Sequence, residues 1–108
     1  MEEARAKTIE LWKIEPDEGK TLTQQKTRLK EWKKVFLAQG AAAVVIYEGG
    51  YGDTASWEVH VHHKSAADFG IYKDKFTNNA RWHAQYEKWH KAGVLQPKSG
   101  GLIHETNL

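Results

Sequence analysis

Three of the six histidines fall in one short stretch, Trp57-Glu58-Val59-His60-Val61-His62-His63. Its β-branched and aromatic residues alternate with polar ones, the signature of a half-buried strand. Side chains in a strand alternate between faces. Trp57, Val59 and Val61 therefore share one face, and Glu58, His60 and His62 share the other. Three kinds of chemistry suit such a trio. A histidine titrates near neutral pH and serves as a general base, with a carboxylate beside it to orient it. Two histidines at i and i+2 can ligate a metal, with Glu58 or His104 as a third donor. The plainer alternative is a structural hydrogen-bonded cluster. The spacing admits all three, and a His-x-His pair alone specifies no metal site. The expected catalytic residues are His60, His62 and Glu58, with no metal assigned.

Those residues need a scaffold, and the flanking sequence supplies one. Thr8 to Glu15 reads as a first strand, broken by Pro16-Asp17-Glu18-Gly19-Lys20. Thr21 with Gln24 fits a capping box, with Thr23 as another possible cap. Leu22, Leu29, Trp32 and Phe36 follow at helical spacing. Lys26, Arg28, Lys30, Lys33 and Lys34 are placed on a basic, solvated outer face. Gly40 is suited to end this helix in the left-handed conformation. Ala41 to Tyr47 is a short apolar run, expected as a strand buried on both faces. Gly49-Gly50-Tyr51-Gly52-Asp53 reads as a hairpin loop; it lacks the strand-to-helix setting of a phosphate-binding loop.

After the histidine strand, Ser65 and Asp68 open a helix whose stripe is Phe69, Tyr72 and Phe76. Asn78-Asn79 interrupts it, and Trp82, Tyr86 and Trp89 form a second stripe ending near Gly93. Gln96 to Gly101 reads as a loop, and Leu102 to Thr106 as a last short strand. The order is βαββαβ. With right-handed crossovers this gives a ferredoxin-like α+β fold: a four-stranded antiparallel sheet with the helices on one face. The chain, residues 1–108, is expected as a single domain.

Two strands are apolar on both faces: Ile9 and Leu11 oppose Trp12 and Ile14, while Ala43, Val45 and Tyr47 oppose Val44 and Ile46. A layer that is hydrophobic on both sides needs cover on both. A second copy, stacked sheet to sheet, would provide it, so a homodimer is expected.

The whole pattern, from about residue 8 to 106, resembles the dimeric α+β-barrel superfamily of antibiotic-biosynthesis-type monooxygenases, stress-responsive barrel proteins and NIPSNAP-like proteins. The most similar part runs from Ser65-Ala66-Ala67-Asp68-Phe69 to Asn78-Asn79-Ala80-Arg81-Trp82, a helix broken and restarted. The resemblance implies two sheets facing each other in a homodimer, with a pocket between sheet and helices or opening into the barrel. Some members hold haem through a histidine on the second helix. No motif carries that ligand onto this chain, and no cofactor is expected.

On that frame, an internal repeat sets Tyr47 and His104 beside the histidine trio, with Leu11, Val45 and Leu102 as apolar walls. Trp82-His83 and Trp89-His90 recur at seven residues, so they share a helix face. That stripe reads first as core; His83 or His90 could still reach a pocket from the helix side, and His83 and Trp82 are further ligand-contact candidates. The expected function is binding of a small aromatic or apolar ligand, with cofactor-independent monooxygenase or isomerase chemistry run by a histidine base. The alternative is a non-catalytic ligand-binding or stress-related barrel with structural histidines.

Composition narrows the field. The absence of cysteine rules out thiolate and disulfide chemistry. A net charge of +2, with both signs interleaved, does not suit nucleic acid, and no Gly-Phe-rich RNA-binding signature is present. No apolar run reaches the length of a membrane span. The charged start, Met1-Glu2-Glu3-Ala4-Arg5, lacks the apolar core of a signal peptide, so a cytoplasmic location is expected.

Overall fold

The computed structural model describes residues 7–49 and 56–106. The elements are β1 (Thr8–Pro16), α1 (Leu22–Ala38), β2 (Ala43–Gly49), β3 (Ser56–His63), α2 (Ala66–Thr77), α3 (Ala80–Ala92) and β4 (Leu95–His104). The strands form one antiparallel sheet in the order β2-β3-β1-β4, the ferredoxin-like arrangement, with α1, α2 and α3 over one face. Most of the expected hairpin loop, Gly50 to Asp53, lies outside the described residues.

Local chemistry sets the element ends. Thr21 and Gln24 form the reciprocal capping box at the start of α1. Gly40 follows that helix at φ +111°, a conformation few other residues adopt. Ser65 caps α2 by accepting from the Asp68 N–H. The break at Asn78-Asn79 is built from both residues: Asn78 ends α2, and Asn79 caps α3 through the Trp82 N–H at 3.0 Å.

The core lies between the sheet and the helices. Trp57, Val59 and Val61 of β3 are buried there with Ile14, Val44, Leu29, Trp32, Tyr72, Phe76 and Trp89. The Trp57 indole N–H donates to Gln25 Oε1 at 2.8 Å, and Gln25 Nε2 donates to the Lys20 carbonyl. A buried amide thus satisfies a buried indole. Arg28 departs from expectation. Its side chain leaves the basic outer face of α1 and crosses to α3, donating to the Gly93 carbonyl at 3.0 Å and lying over the Trp89 ring. A guanidinium there satisfies the free carbonyl end of a helix and favours its dipole.

Two strands also depart from the sequence reading. β2 is an edge strand. Its Val44 and Ile46 pack under the helices, but Val45 and Tyr47 remain 36% and 52% exposed on the other side of a single chain. β4 is one long strand that includes the stretch expected as a loop. Pro97 and the Gly100-Gly101 pair are tolerated because β4 is also an edge, where a missing donor costs nothing. Between Lys13 and Ile14 the register with β4 shifts: Lys13 faces Ser99 and Ile14 faces Pro97, leaving Lys98 as an extra residue.

Replacing Gln25 with Ala strands the Trp57 N–H in the core. We expect a loss of about 1–3 kcal/mol in unfolding free energy, read by urea denaturation; a change below a few tenths would show that the bond carries no stability.

Candidate functional site

Cross-strand partners point to the same side of an antiparallel sheet, so the register maps both faces. On the face away from the helices the rows are Ala43, His62, Ile9, Ile103, then Val45, His60, Leu11, Gly101, then Tyr47, Glu58, Lys13, Ser99. Glu58, His60, His62, Tyr47, Leu11 and Val45 therefore do share one open face. His60 Nε2 lies 2.6 Å from Glu58 Oε1, and Tyr47 packs on the His60 ring at 4.7 Å between centroids. His62 lies 6.5 Å from His60, ring to ring, and its Nε2 is buried without a partner among the described residues.

His104 and Leu102 are not with them. They pair with Thr8 and Glu10, whose side chains lie on the helix side, and His104 Nδ1 bonds Thr8 Oγ1 at 2.9 Å. The residue that joins the open face is Ile103. The extra residue at Lys98 sets the parity of all that follows it, so an alignment by repeat misplaces these positions by one. His104 cannot complete a metal site with His60 and His62 in one chain, because the sheet separates them.

The concave site lies on the helix side. A cleft of about 480 Å³ opens between the β1 and β4 half of the sheet and the helices. Trp12, Ile14 and Glu10 of β1 and Val59 of β3 line it from the sheet, and Tyr72, Phe76, Trp82, Tyr86 and Trp89 from α2 and α3. Trp32 and Phe36 of α1 also line it, and Lys73, His83, His90, Gln96 and Pro97 supply most of its polar and rim groups. The aromatic wall is continuous: Phe76 to Trp82 is 4.5 Å, Trp82 to Trp89 is 5.5 Å and Phe36 to Trp82 is 6.1 Å between ring centroids. Its origin is helical spacing. Trp82, Tyr86 and Trp89 fall at i, i+4 and i+7 and share a face of α3. Of the sequence-derived candidates, Trp82, His83 and His90 reach this cleft; Glu58, His60, His62, Tyr47, His104, Leu11, Val45 and Leu102 do not.

Glu10 in the cleft, and Gly100 and His63 beside it, set its surroundings. Glu10 is 5% exposed and holds Lys73 Nζ at 3.0 Å. Its position was readable from parity, since it shares a face with Trp12 and Ile14. Gly100 faces Trp12 across the β1–β4 ladder; a Cβ there would stand 2.6 Å from the Trp12 ring, so the indole lies against bare backbone. His63, 2% exposed, closes the neighbouring core, with its ring 4.5 Å from Tyr72 and 5.1 Å from Phe69. Neither His63 nitrogen has a partner among the described residues. Burial lowers the His63 pKa below its ordinary 6.5, reinforced by His62 and Lys73 and opposed by Glu10 and Asp68. Burial, and then the Glu10 carboxylate, raises that of Tyr72.

Among known proteins, no family model and no curated protein matches the sequence. Solved structures do match the fold. SnoaB from Streptomyces nogalater, a cofactor-independent oxygenase, superposes with a TM-score of 0.62 at 8% identity, covering 95% of this chain and 96% of its own. A dimeric ferredoxin-like protein of unknown function from Thermobifida fusca gives 0.57 at 8% identity, covering 95% and 92%. Another dimeric ferredoxin-like protein, from an uncultured marine organism, gives 0.56 at 9% identity, covering 95% and 98%. The fold is thus the ferredoxin-like α+β fold shared by SnoaB and these dimeric proteins. At such identities the likeness extends to the fold alone.

Gly100→Ala drives a methyl into the Trp12 ring. We expect it to cost about 1–3 kcal/mol in thermal or urea unfolding. Gly101→Ala, where no atom lies within 4 Å of the new methyl, is the control and should cost far less. His63 gives a pH signature. Because its folded pKa is lowered, the unfolded chain binds the proton more readily, so stability is full above pH 6.5 and falls as pH drops towards the folded value. His63→Leu should flatten that part of the stability profile; an unchanged slope would assign it to another group.

Proposed function

We propose that this chain binds a small, flat aromatic or apolar molecule in the cleft between sheet and helices, and that it works as a homodimer joined through the open sheet face. The observation that carries the first part is the cleft itself: a small-molecule volume, walled by stacked aromatic rings, with a few polar groups at one side and at the rim. The dimer is supported by the apolar residues left uncovered on the open face, Ile9, Leu11, Val45, Tyr47 and Ile103, and by the dimeric proteins that share the fold.

The chemistry best suited to this cleft is cofactor-independent oxygenation or isomerisation, the first being what SnoaB is described as doing. A base removes an acidic proton from the bound aromatic, and the resulting anion reacts with O₂. For a diaryl methylene the balance is CH₂ + O₂ → C=O + H₂O, with no added reductant. The histidines that line the cleft are His83 and His90, and in this reading one of them is the base. A second reading keeps the base at His60, with Glu58 orienting it and His62 beside it; the 2.6 Å contact favours it. That cluster would then work inside the barrel formed by two facing sheets. The non-catalytic alternative leaves all these histidines structural.

Oxygen uptake in the presence of anthrone, a flat molecule with an acidic methylene, separates the readings. We expect uptake above the spontaneous rate, lost when His83 and His90 are both replaced by Ala and retained in His60→Ala. The opposite pattern would move the base to the barrel side; binding without uptake would make the protein a binder. For the assembly, Val45→Glu places a charge on the open face. We expect sedimentation to show two chains for the native protein and one for the variant, with ligand binding in the cleft preserved. A native protein that sediments as one chain would contradict the dimer.

A further inference from the structure

Among the described residues, Glu10 is the one carboxylate that lines the aromatic cleft, and it is buried. A carboxylate has acceptor capacity for about four hydrogen bonds. Among the described residues its one polar partner is the Lys73 ammonium, 3.0 Å from Oε2. That lysine comes from α2 and is half-exposed, with its ammonium 6.0 Å from the Trp12 ring centroid and 5.8 Å from that of Phe69. A buried ion pair is a poor stabilising device when its remaining lone pairs go unused, because desolvation offsets much of the attraction. An apolar pair at these positions would hold β1 to α2 as well. What the pair adds is a fixed anionic acceptor, held in place from the solvent side, beside a flat apolar space.

We infer that Glu10 selects the ligand: the cleft takes planar aromatics that carry a hydrogen-bond-donating hydroxyl, and the Glu10 carboxylate accepts from that hydroxyl. The inference rests on the cleft being the ligand site. It assigns the ligand class as phenol-like, in place of plain hydrocarbons or aromatic acids. A hydrocarbon leaves the carboxylate's acceptors unused, and an aromatic carboxylate meets like charge. Lys73 is a positioning residue that holds the carboxylate, and it does not itself take the ligand.

Equilibrium dialysis with naphthalene, 1-naphthol and 1-naphthoate tests this, with thermal melting to check that each variant is folded. For the native protein we expect 1-naphthol to bind about tenfold more tightly than naphthalene, the scale of one hydrogen bond to a charged group, and 1-naphthoate to bind more weakly than 1-naphthol. Glu10→Gln should reduce the preference for the naphthol to within about threefold. Lys73→Met keeps the carboxylate but removes its anchor, so it should weaken the preference while retaining clearly more of it than Glu10→Gln, whereas a purely structural ion pair would make the two variants alike. Equal binding of naphthol and naphthalene to the native protein, or a preference that survives Glu10→Gln, would overturn the role of Glu10 and leave the cleft standing. Strongest binding of the naphthoate, lost in Lys73→Met, would transfer selection to the lysine and overturn the inference. If none of the three binds, the cleft is not the ligand site and the inference falls with it.

Discussion

Everything in this molecule depends on the alternation of side chains along β3 and β1. Neighbours in a strand cannot share a face. Burying Trp57, Val59 and Val61 under the helices therefore forces Glu58, His60 and His62 to the opposite side, and burying Trp12 and Ile14 brings Glu10 inward with them. The hydrophobic term that drives the first set inward is worth about 1.5–3 kcal/mol per large side chain. A one-residue slip would reverse both faces at once. The sheet is thus a partition between two chemically distinct spaces. One is closed over by helices and lined with aromatic rings; the other is an open surface that pairs apolar residues with a histidine cluster.

The two spaces have different physical demands. The cleft requires a rigid wall, and its rings gain one from mutual packing across three helices, with Arg28 tying the end of α3 to α1. Gly100 gives Trp12 a flat seat, so the floor of the cleft depends on a backbone with no side chain. The open face mixes apolar and polar residues instead. Its polar members satisfy one another in part, through the short Glu58–His60 contact, so the Glu58 carboxylate is not left isolated among apolar neighbours.

The sequence made the partition readable because alternation is a local property. The capping box at Thr21 and Gln24, the double asparagine between α2 and α3, and the two faces of β3 all follow from residues a few positions apart. What local pattern did not carry was the course of β4. Pro97 and two glycines look like a loop until an edge position excuses them, and the extra residue at Lys98 reverses the sides of Leu102 and His104. Helical spacing likewise put Arg28 outside, although the carbonyl end of α3 draws it across. Spacing told core aromatics from solvated positions, but it did not show that those aromatics surround a cleft. That depends on how far α2 and α3 stand from β1 and β4. The expected catalytic residues, Glu58, His60 and His62, are titratable groups that cluster in sequence. The cleft's own polar groups, Glu10 and Lys73, come from distant segments and meet only in the fold.

Ligand binding on the helix side of the sheet can be read from the tryptophans. Trp12, Trp32, Trp82 and Trp89 line the cleft; Trp57 does not, its indole N–H being held by Gln25. Titration with 1-naphthol, followed through the indole N–H resonances of uniformly ¹⁵N-labelled protein, reports on all five. A ligand in the cleft will shift the signals of Trp12, Trp32, Trp82 and Trp89 and leave the Trp57 signal and the His60 and His62 ring signals nearly unmoved. Shifts at His60 and His62 with the cleft tryptophans silent would contradict it and move the site to the open face.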